Sequence, residues 1–129
     1  MITIGIGVDI IENSRIKSLL TNKNFIKRTF SKNEILISKK ILNKTNFFSK
    51  RFAAKEAFSK ALGTGFRDNL NFKDIEIVNN KLGKPYYLLT NKIKQLIKRK
   101  KKINNFKLFL SISDEKDYSV AFTIIQKIL

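Results

Sequence analysis

The 129-residue chain has no cysteine and no histidine. The first absence excludes disulfides, thiolate zinc sites and cysteine nucleophiles. The second removes serine–histidine triads, imidazole metal centres and any histidine general base. One proline and five glycines leave no Pro/Gly-rich linker, and no repeat or low-complexity tail is present. No run approaches the roughly 18 apolar residues of a membrane span. The apolar start, Met1 to Ile11, lacks a basic leader region and carries Asp9 inside it, so a secretory leader is not expected. Acid is scarce as well: 10 Asp and Glu stand against 27 Lys and Arg, a formal charge of +17. Chemistry must therefore come from carboxylates, amines, hydroxyls or a bound metal.

What remains is a globular composition, 43% hydrophobic with 11 phenylalanines, long enough for one domain spanning 1–129. Thr3 to Ile11 alternates as a strand, with Ile4, Ile6, Val8 and Ile10 on one face and Gly5, Gly7, Asp9 and Ile11 on the other. Glycines on the second face allow close approach to the backbone. Asn13 or Ser14 is expected to cap a helix to about Leu20, with Ile16, Leu19 and Leu20 inward. Phe25 to Thr29 suits a further helical turn. Ser31 and Glu34 match a capping box opening a helix from Lys32 to about Leu42. Asn43 to Asn46 reads as a polar break before an alanine-rich helix, Phe48 to Leu62, with Gly63 as its left-handed terminus. Phe72 to Asn79 and Tyr86 to Leu89 read as a hairpin around Leu82-Gly83-Lys84-Pro85. Asn91 to Lys102 is an amphipathic helix, and Phe106 to Ile112 and Tyr118 to Ile125 are two more strands around a polar turn. The expected class is α+β, a small antiparallel sheet packed on helices.

Two places could carry chemistry. Asp9 is an acid on a glycine-flanked strand; its plain alternative is a strand-end carboxylate facing water. On the alanine-rich helix, Glu56 and Lys60 share a face, with Arg51, Lys55 and Ser59 on the adjacent stripe. Taken alone this is an ordinary i,i+4 ion pair on a solvated helix. Together, two hard carboxylates without His or Cys suit Mg²⁺, which takes one or two carboxylates plus phosphates and waters. Lysine and arginine beside them suit phosphate oxygens. Asp9, Glu56 and Lys60 thus fit a magnesium–diphosphate centre for phosphoryl-type transfer.

The segment Gly5-Ile6-Gly7-Val8-Asp9-Ile10-Ile11-Glu12-Asn13-Ser14-Arg15-Ile16 resembles the N-terminal signature of the holo-[acyl-carrier-protein] synthase family, the small 4′-phosphopantetheinyl transferases. Arg51 to Gly65 (RFAAKEAFSKALGTG) resembles its most specific motif. Weaker matches follow in order at Phe30 to Glu34, at Asp74 to Ile77 with Gly83-Lys84-Pro85, and at Leu110 to Ala121. The resemblance implies the phosphopantetheinyl transferase fold. It also implies transfer of the phosphopantetheine arm of coenzyme A to a serine of an apo acyl carrier protein, releasing adenosine 3′,5′-bisphosphate for fatty acid biosynthesis. It implies Asp9 and Glu56 as Mg²⁺ ligands, with Asp9, Glu56 and Lys60 as catalytic residues and Lys60 also on the phosphates. Arg51 is implied as a nucleotide-side contact, Gly83, Lys84 and Pro85 as the adenine-lining turn, and Arg15 as the carrier-protein contact. It further implies a homotrimer with interface active sites. Without cysteine, a leader or an apolar span, the chain is expected in the cytoplasm, with no nucleic acid or membrane partner. The base stays open between Glu56, Asp9 and a water on the metal.

Some features depart from that pattern. Asp114 stands where some members carry histidine. The run Lys98 to Lys102 lies outside every matched motif and reads as a solvated helix end placed well for the dipole. Gly63-Thr64-Gly65 is better taken as a helix terminus than as a phosphate loop. The alternative is a small basic nucleic-acid-binding protein, which explains +17 but neither Asp9 nor Glu56, and for which no RNP-like, KH or zinc-finger pattern exists. A third reading is a structural subunit whose basic face docks an acidic partner.

Overall fold

The computed structural model describes residues 1–63, 65 and 70–129. Its elements run β1 (Ile2–Glu12), α1 (Asn13–Leu19), α2 (Lys23–Thr29), α3 (Lys32–Ser38), α4 (Lys44–Leu62), a 3₁₀ turn (Phe72–Asp74), β2 (Ile77–Asn79), β3 (Pro85–Tyr87), α5 (Asn91–Lys101), β4 (Phe106–Asp114) and β5 (Tyr118–Lys127). The expected α+β class is what forms. An antiparallel sheet of order β1-β5-β4 packs against α4, and β2-β3 make a separate hairpin. Asp9 pairs in register with Ala121, and Val8 with Phe122.

The glycine face of β1 is the one turned to α4. A Cβ on Gly7 would lie 1.9 Å from the Ala57 carbonyl oxygen, and one on Gly5 2.3 Å from that of Ala61. Hydrogen in place of methyl lets strand and helix backbones touch. Ala53, Ala54, Ala57 and Ala61 are buried on the helix side of this contact. Opposite, Ile6, Val8 and Ile10 are 58%, 52% and 63% exposed. The apolar stripe of β1 therefore lies outside the protomer, beside the half-exposed Phe122 of β5 and Phe109 of β4.

A second layer of core is aromatic. Phe25, Phe30, Phe47, Phe48, Phe52 and Phe72 form a chain of ring contacts with centroids 4.5 to 6.2 Å apart. Each well-buried ring is worth about 1.5–3 kcal/mol, enough to fasten the short helices α2 and α3 to α4. Tyr87 fixes the hairpin: its hydroxyl donates to the Ala54 carbonyl at 2.6 Å and lies 2.6 Å from Thr123 Oγ1.

Several local expectations are corrected. Neither Asn13 nor Ser14 caps α1; Glu12 takes that position without a side-chain bond. Asn13 instead turns into the β4–β5 turn, donating to the carbonyls of Glu115 and Lys116 and accepting from Ser119 Oγ. Helix α3 stops at Ser38: the N–H groups of Lys39, Lys40 and Ile41 tighten to three-residue bonds with Leu36, Ile37 and Ser38, and Lys44 Nζ also donates to the Ser38 and Ile41 carbonyls. The polar segment 43–46 is no break: Asn43 caps α4 through the Asn46 N–H, so the helix begins at Lys44. Only Ile77–Asn79 of the expected 72–79 strand is extended. Asp74 caps the 3₁₀ turn by accepting from the Asn71 N–H, and the carbonyls of Phe72 and Ile75 are taken by Lys55. β3 ends at Tyr87, and α5 at Lys101, with Lys102 left-handed. Gly63, with φ of 87°, ends α4 as expected; Thr64, next to it, lies outside the described residues.

Candidate active site

β1 and α4 bring the two acids together because the glycine contact holds strand and helix close. Asp9 follows Gly5 and Gly7 on the helix-facing side, two residues beyond the closest approach. Glu56 and Lys60 leave α4 one turn apart on the same face. Lys60 does not pair with Glu56 as a surface i,i+4 bridge. Its Nζ crosses to β1, donating to the Val8 carbonyl at 3.0 Å and to Asp9 Oδ1 at 3.2 Å.

Burial dominates the electrostatics of both acids. Burial pushes the Asp9 carboxyl above its ordinary 3.8, against the opposing hydrogen bond and charge of Lys60 and the charge of Arg15. Burial also pushes Glu56 above its ordinary 4.5, and the negative charge of Asp9 adds to the rise, while Lys60 and Arg15 oppose it. Each carboxylate thus feels the same two cations, and Glu56 feels Asp9. Two half-buried, mutually repelling hard oxygens fit a divalent cation of the magnesium type. Among the described residues no group of three or more Asp, Glu, His or Cys converges. A metal here would need oxygens from a substrate and from water.

Beside Glu56 opens a cleft of about 580 Å³. Its floor is apolar, with Leu19, Phe25, Phe52 and Phe72, and its rim carries Arg15 and Arg28. Arg15 lies where the motif places it. The sequence groups Arg28 with Arg15 in a basic stretch suited to an acidic partner, whereas the three aromatic walls read only as generic core. Their signal exists only once α2 folds back onto α4.

The rest of the motif helix behaves differently. Arg51 is buried rather than displayed: it stacks over the Phe47 ring at 3.8 Å and donates from Nη2 to Asn79 Oδ1 at 2.9 Å. Burial lowers its pKa, partly offset by the charges of Glu34 and Glu76. Asn79 in turn donates to the Gly83 carbonyl at 2.9 Å. Asn80 Oδ1 accepts from the N–H groups of Leu82 and Lys84, which fixes the Gly83-Lys84-Pro85 turn. Arg51 is therefore tied to that turn through Asn79, and Arg51 and Asn79 line a cleft of about 510 Å³ with Lys50, Ile41 and Val78. Glu56 and Arg51 are five residues apart, about 7.5 Å along the axis and about 140° around it. The acid pair and the Arg51 group therefore open on different sides of α4. Asp114, the residue in the histidine position, accepts a hydrogen bond from Asn46 Nδ2.

Comparison with known proteins bears on the family and the fold. The sequence profile of the 4′-phosphopantetheinyl transferase superfamily matches residues 5–123. A holo-[acyl-carrier-protein] synthase of Pelagibacter ubique is 66% identical over 124 residues, covering 96% of this chain and 97% of that one. The crystal structure of a holo-[acyl-carrier-protein] synthase from Neisseria meningitidis superposes with a TM-score of 0.88 at 35% identity, covering 98% of this chain and 100% of that one. One from Bacillus anthracis, solved in complex with coenzyme A (3′,5′-ADP), gives 0.82 at 35% identity, covering 99% and 100%.

Proposed function

The chain belongs to the 4′-phosphopantetheinyl transferase superfamily, and we propose on that premise that it is a magnesium-dependent holo-[acyl-carrier-protein] synthase. It moves the 4′-phosphopantetheine arm of coenzyme A to a serine of an apo acyl carrier protein. The serine Oγ forms a new bond to the β-phosphorus. The bond from that phosphorus to the bridging oxygen breaks, and adenosine 3′,5′-bisphosphate leaves with the electron pair. The observation that carries this reading is the meeting of Asp9, Glu56 and Lys60 at one point of β1 and α4.

Asp9 and Glu56 would hold Mg²⁺, which when bound supplies charge neutralisation on the diphosphate. Lys60 needs only a small swing from Asp9 to reach a phosphate oxygen, where one charge pair at 4 Å is worth about 4 kcal/mol at an effective dielectric of 20. The nucleophile belongs to the protein substrate, so no activated serine is required here. Glu56 would be the better acceptor of the serine proton, because Asp9 is the carboxylate bonded by Lys60.

Arg51 and the Gly83-Lys84-Pro85 turn would take the nucleotide end of coenzyme A. Arg15 and Arg28, on the rim of an apolar cleft beside Glu56, suit an acidic helix that also buries apolar side chains. The exposed stripe of Ile6, Val8 and Ile10 with Phe122 is a contiguous apolar face of the kind that marks a protein interface. A homotrimer closing on that face, with each site drawn from two protomers, would join the acid pair to an Arg51 group that opens elsewhere on α4. Coenzyme A and acyl carrier protein as substrates would suit a cytoplasmic enzyme of fatty acid biosynthesis. A basic nucleic-acid-binding role leaves the two half-buried acids without a purpose.

A mass measurement tests the proposal. The protein, apo acyl carrier protein, coenzyme A and Mg²⁺ should together yield the carrier protein with the phosphopantetheine mass added. No addition at high enzyme concentration rejects the reading.

A further inference from the structure

Lys55 sits in the middle of the signature helix and is 0% exposed. Its ammonium has no hydrogen to spare for a substrate. One goes to Glu34 Oε1 at 2.7 Å, one to the Phe72 carbonyl at 2.9 Å, and one to the Ile75 carbonyl. Glu34, also 0% exposed, is just as fully engaged. Oε1 accepts the Ser31 N–H at 2.9 Å, Oε2 accepts the Ile77 N–H at 3.1 Å, and Oε2 lies 3.9 Å from Arg51 Nε.

A buried ion pair is poor value as a stabiliser, since apolar replacements often do as well. Its meaning lies in what its bonds hold. They hold the segment 72–77, which has no ladder partner before Ile77. Two residues further on is Asn79, which bonds Arg51 through Oδ1 and the Gly83 carbonyl through Nδ2. Arg51 is thus caught between Glu34 on its inner side and Asn79 on its outer side. Lys55 neutralises Glu34, and this leaves the guanidinium to Asn79 and the cleft. Without that ammonium, the carboxylate would draw Arg51 inward.

We infer that the buried Glu34–Lys55 pair is a positioning device for the nucleotide end of the coenzyme A site, acting through Arg51 and the β2–β3 hairpin. The inference rests on the coenzyme A reading above. It separates two lysines of one motif by role: Lys60 faces the diphosphate, and Lys55 never touches substrate.

The test is a double-mutant cycle read as nucleotide affinity. Lys55→Met and the exposed Asn79→Ala, singly and together, are titrated with adenosine 3′,5′-bisphosphate by calorimetry, with steady-state KM values alongside. Each single variant should bind the nucleotide about tenfold more weakly, the size of one charged hydrogen bond. The double variant should be little worse than either, because both cut the same relay. The KM for carrier protein should stay within about twofold. If Lys55→Met does not fold, Lys55→Gln, which also removes the ammonium but keeps a donor for the Phe72 and Ile75 carbonyls, takes its place in the same cycle with the same expectation. A folded variant with wild-type nucleotide affinity, or a double variant weakened by the full product of the singles, overturns the inference. A wild-type chain that binds neither coenzyme A nor the bisphosphate fails earlier, and that result counts against the functional reading itself.

Discussion

Gly7→Ala is the most direct probe of the link between fold and site. The added methyl would meet the Ala57 carbonyl oxygen at 1.9 Å, the Ala61 nitrogen at 2.7 Å and the Ala57 carbonyl carbon at 2.9 Å. All three are backbone atoms, so no side chain can turn aside. Restoring ordinary contact requires β1 and α4 to part by roughly 1.5 Å, in an interior packed like a crystal. Overpacking of this kind costs about 1–3 kcal/mol, and each kcal/mol lowers the melting temperature of a chain this size by about 3–6 °C. The same displacement moves Asp9 away from Glu56 and Lys60, and a misplacement of about 1 Å costs on the order of 100-fold in rate. Gly5→Ala is the control. Its methyl meets the Ala61 carbonyl at 2.3 Å, but four residues from Asp9 instead of two. Thermal unfolding should place both variants below wild type. Turnover measured where both remain folded should fall much further for Gly7→Ala than for Gly5→Ala. Equal activity losses at equal stability, or a Gly7→Ala protein with wild-type melting and turnover, would refute the claim that this contact sets the acid pair.

Asp9→Asn and Glu56→Gln should each cut turnover by at least about 100-fold, and EDTA should reproduce the loss; Mn²⁺ titration followed by electron paramagnetic resonance should show weakened metal binding in both. The pH dependence has a definite sign. Both carboxyls titrate above their ordinary values of 3.8 and 4.5, so the folded metal-free chain binds these protons more tightly than the unfolded chain. Stability from this source is lost as pH rises through the raised values, while metal binding is gained over the same range. Accordingly Glu56→Gln should melt higher than wild type in EDTA at neutral pH while remaining inactive. Arg15→Ala should raise the KM for carrier protein, most at low ionic strength, because a rim charge acts through a screened field; an unchanged KM across salt would remove Arg15 from the docking surface. Val8→Asp, on the outward face of β1 where the side chain is 52% exposed, should leave the protomer folded and shift the protein to smaller species in sedimentation velocity.

Much of this was legible in the residues, and the misses share a cause. The alternation of β1, the Ser31–Glu34 capping box and the Gly63 terminus are local devices, and local patterns declare them. The acid pair was legible for a subtler reason: glycines on the face that carries Asp9 signal a backbone pressed against something, and the alanines of α4 supply the partner. The 72–79 segment was misread because its alternation of apolar and acidic residues is a true strand pattern. What breaks the strand is the side chain of Lys55, more than 15 residues earlier, taking two of its carbonyls. Nothing local reports such a claim.

Helix α4 shows why periodicity alone could not have found the site. An amphipathic surface helix has one apolar stripe and one polar face, whereas α4 has contacts nearly all round. Ala57 and Ala61 meet β1, Phe52 and Phe58 meet the aromatic and hairpin layers, and Arg51, Lys55 and Ser59 are polar yet buried. From Arg51 to Leu62, only Glu56 and Lys60 keep a partly open outlook. A charged residue on such a helix cannot be assumed to face water. Arg51 and Lys55 look like surface charges by composition and are buried in bonds to Asn79 and Glu34. The i,i+4 pair Glu56 and Lys60 looks like a surface bridge, yet Lys60 crosses to Val8 and Asp9 of β1 instead. The decisive property is the side-chain partner, and partners come from the strand and hairpin that the glycines of β1 and the buried pair of α4 hold in place.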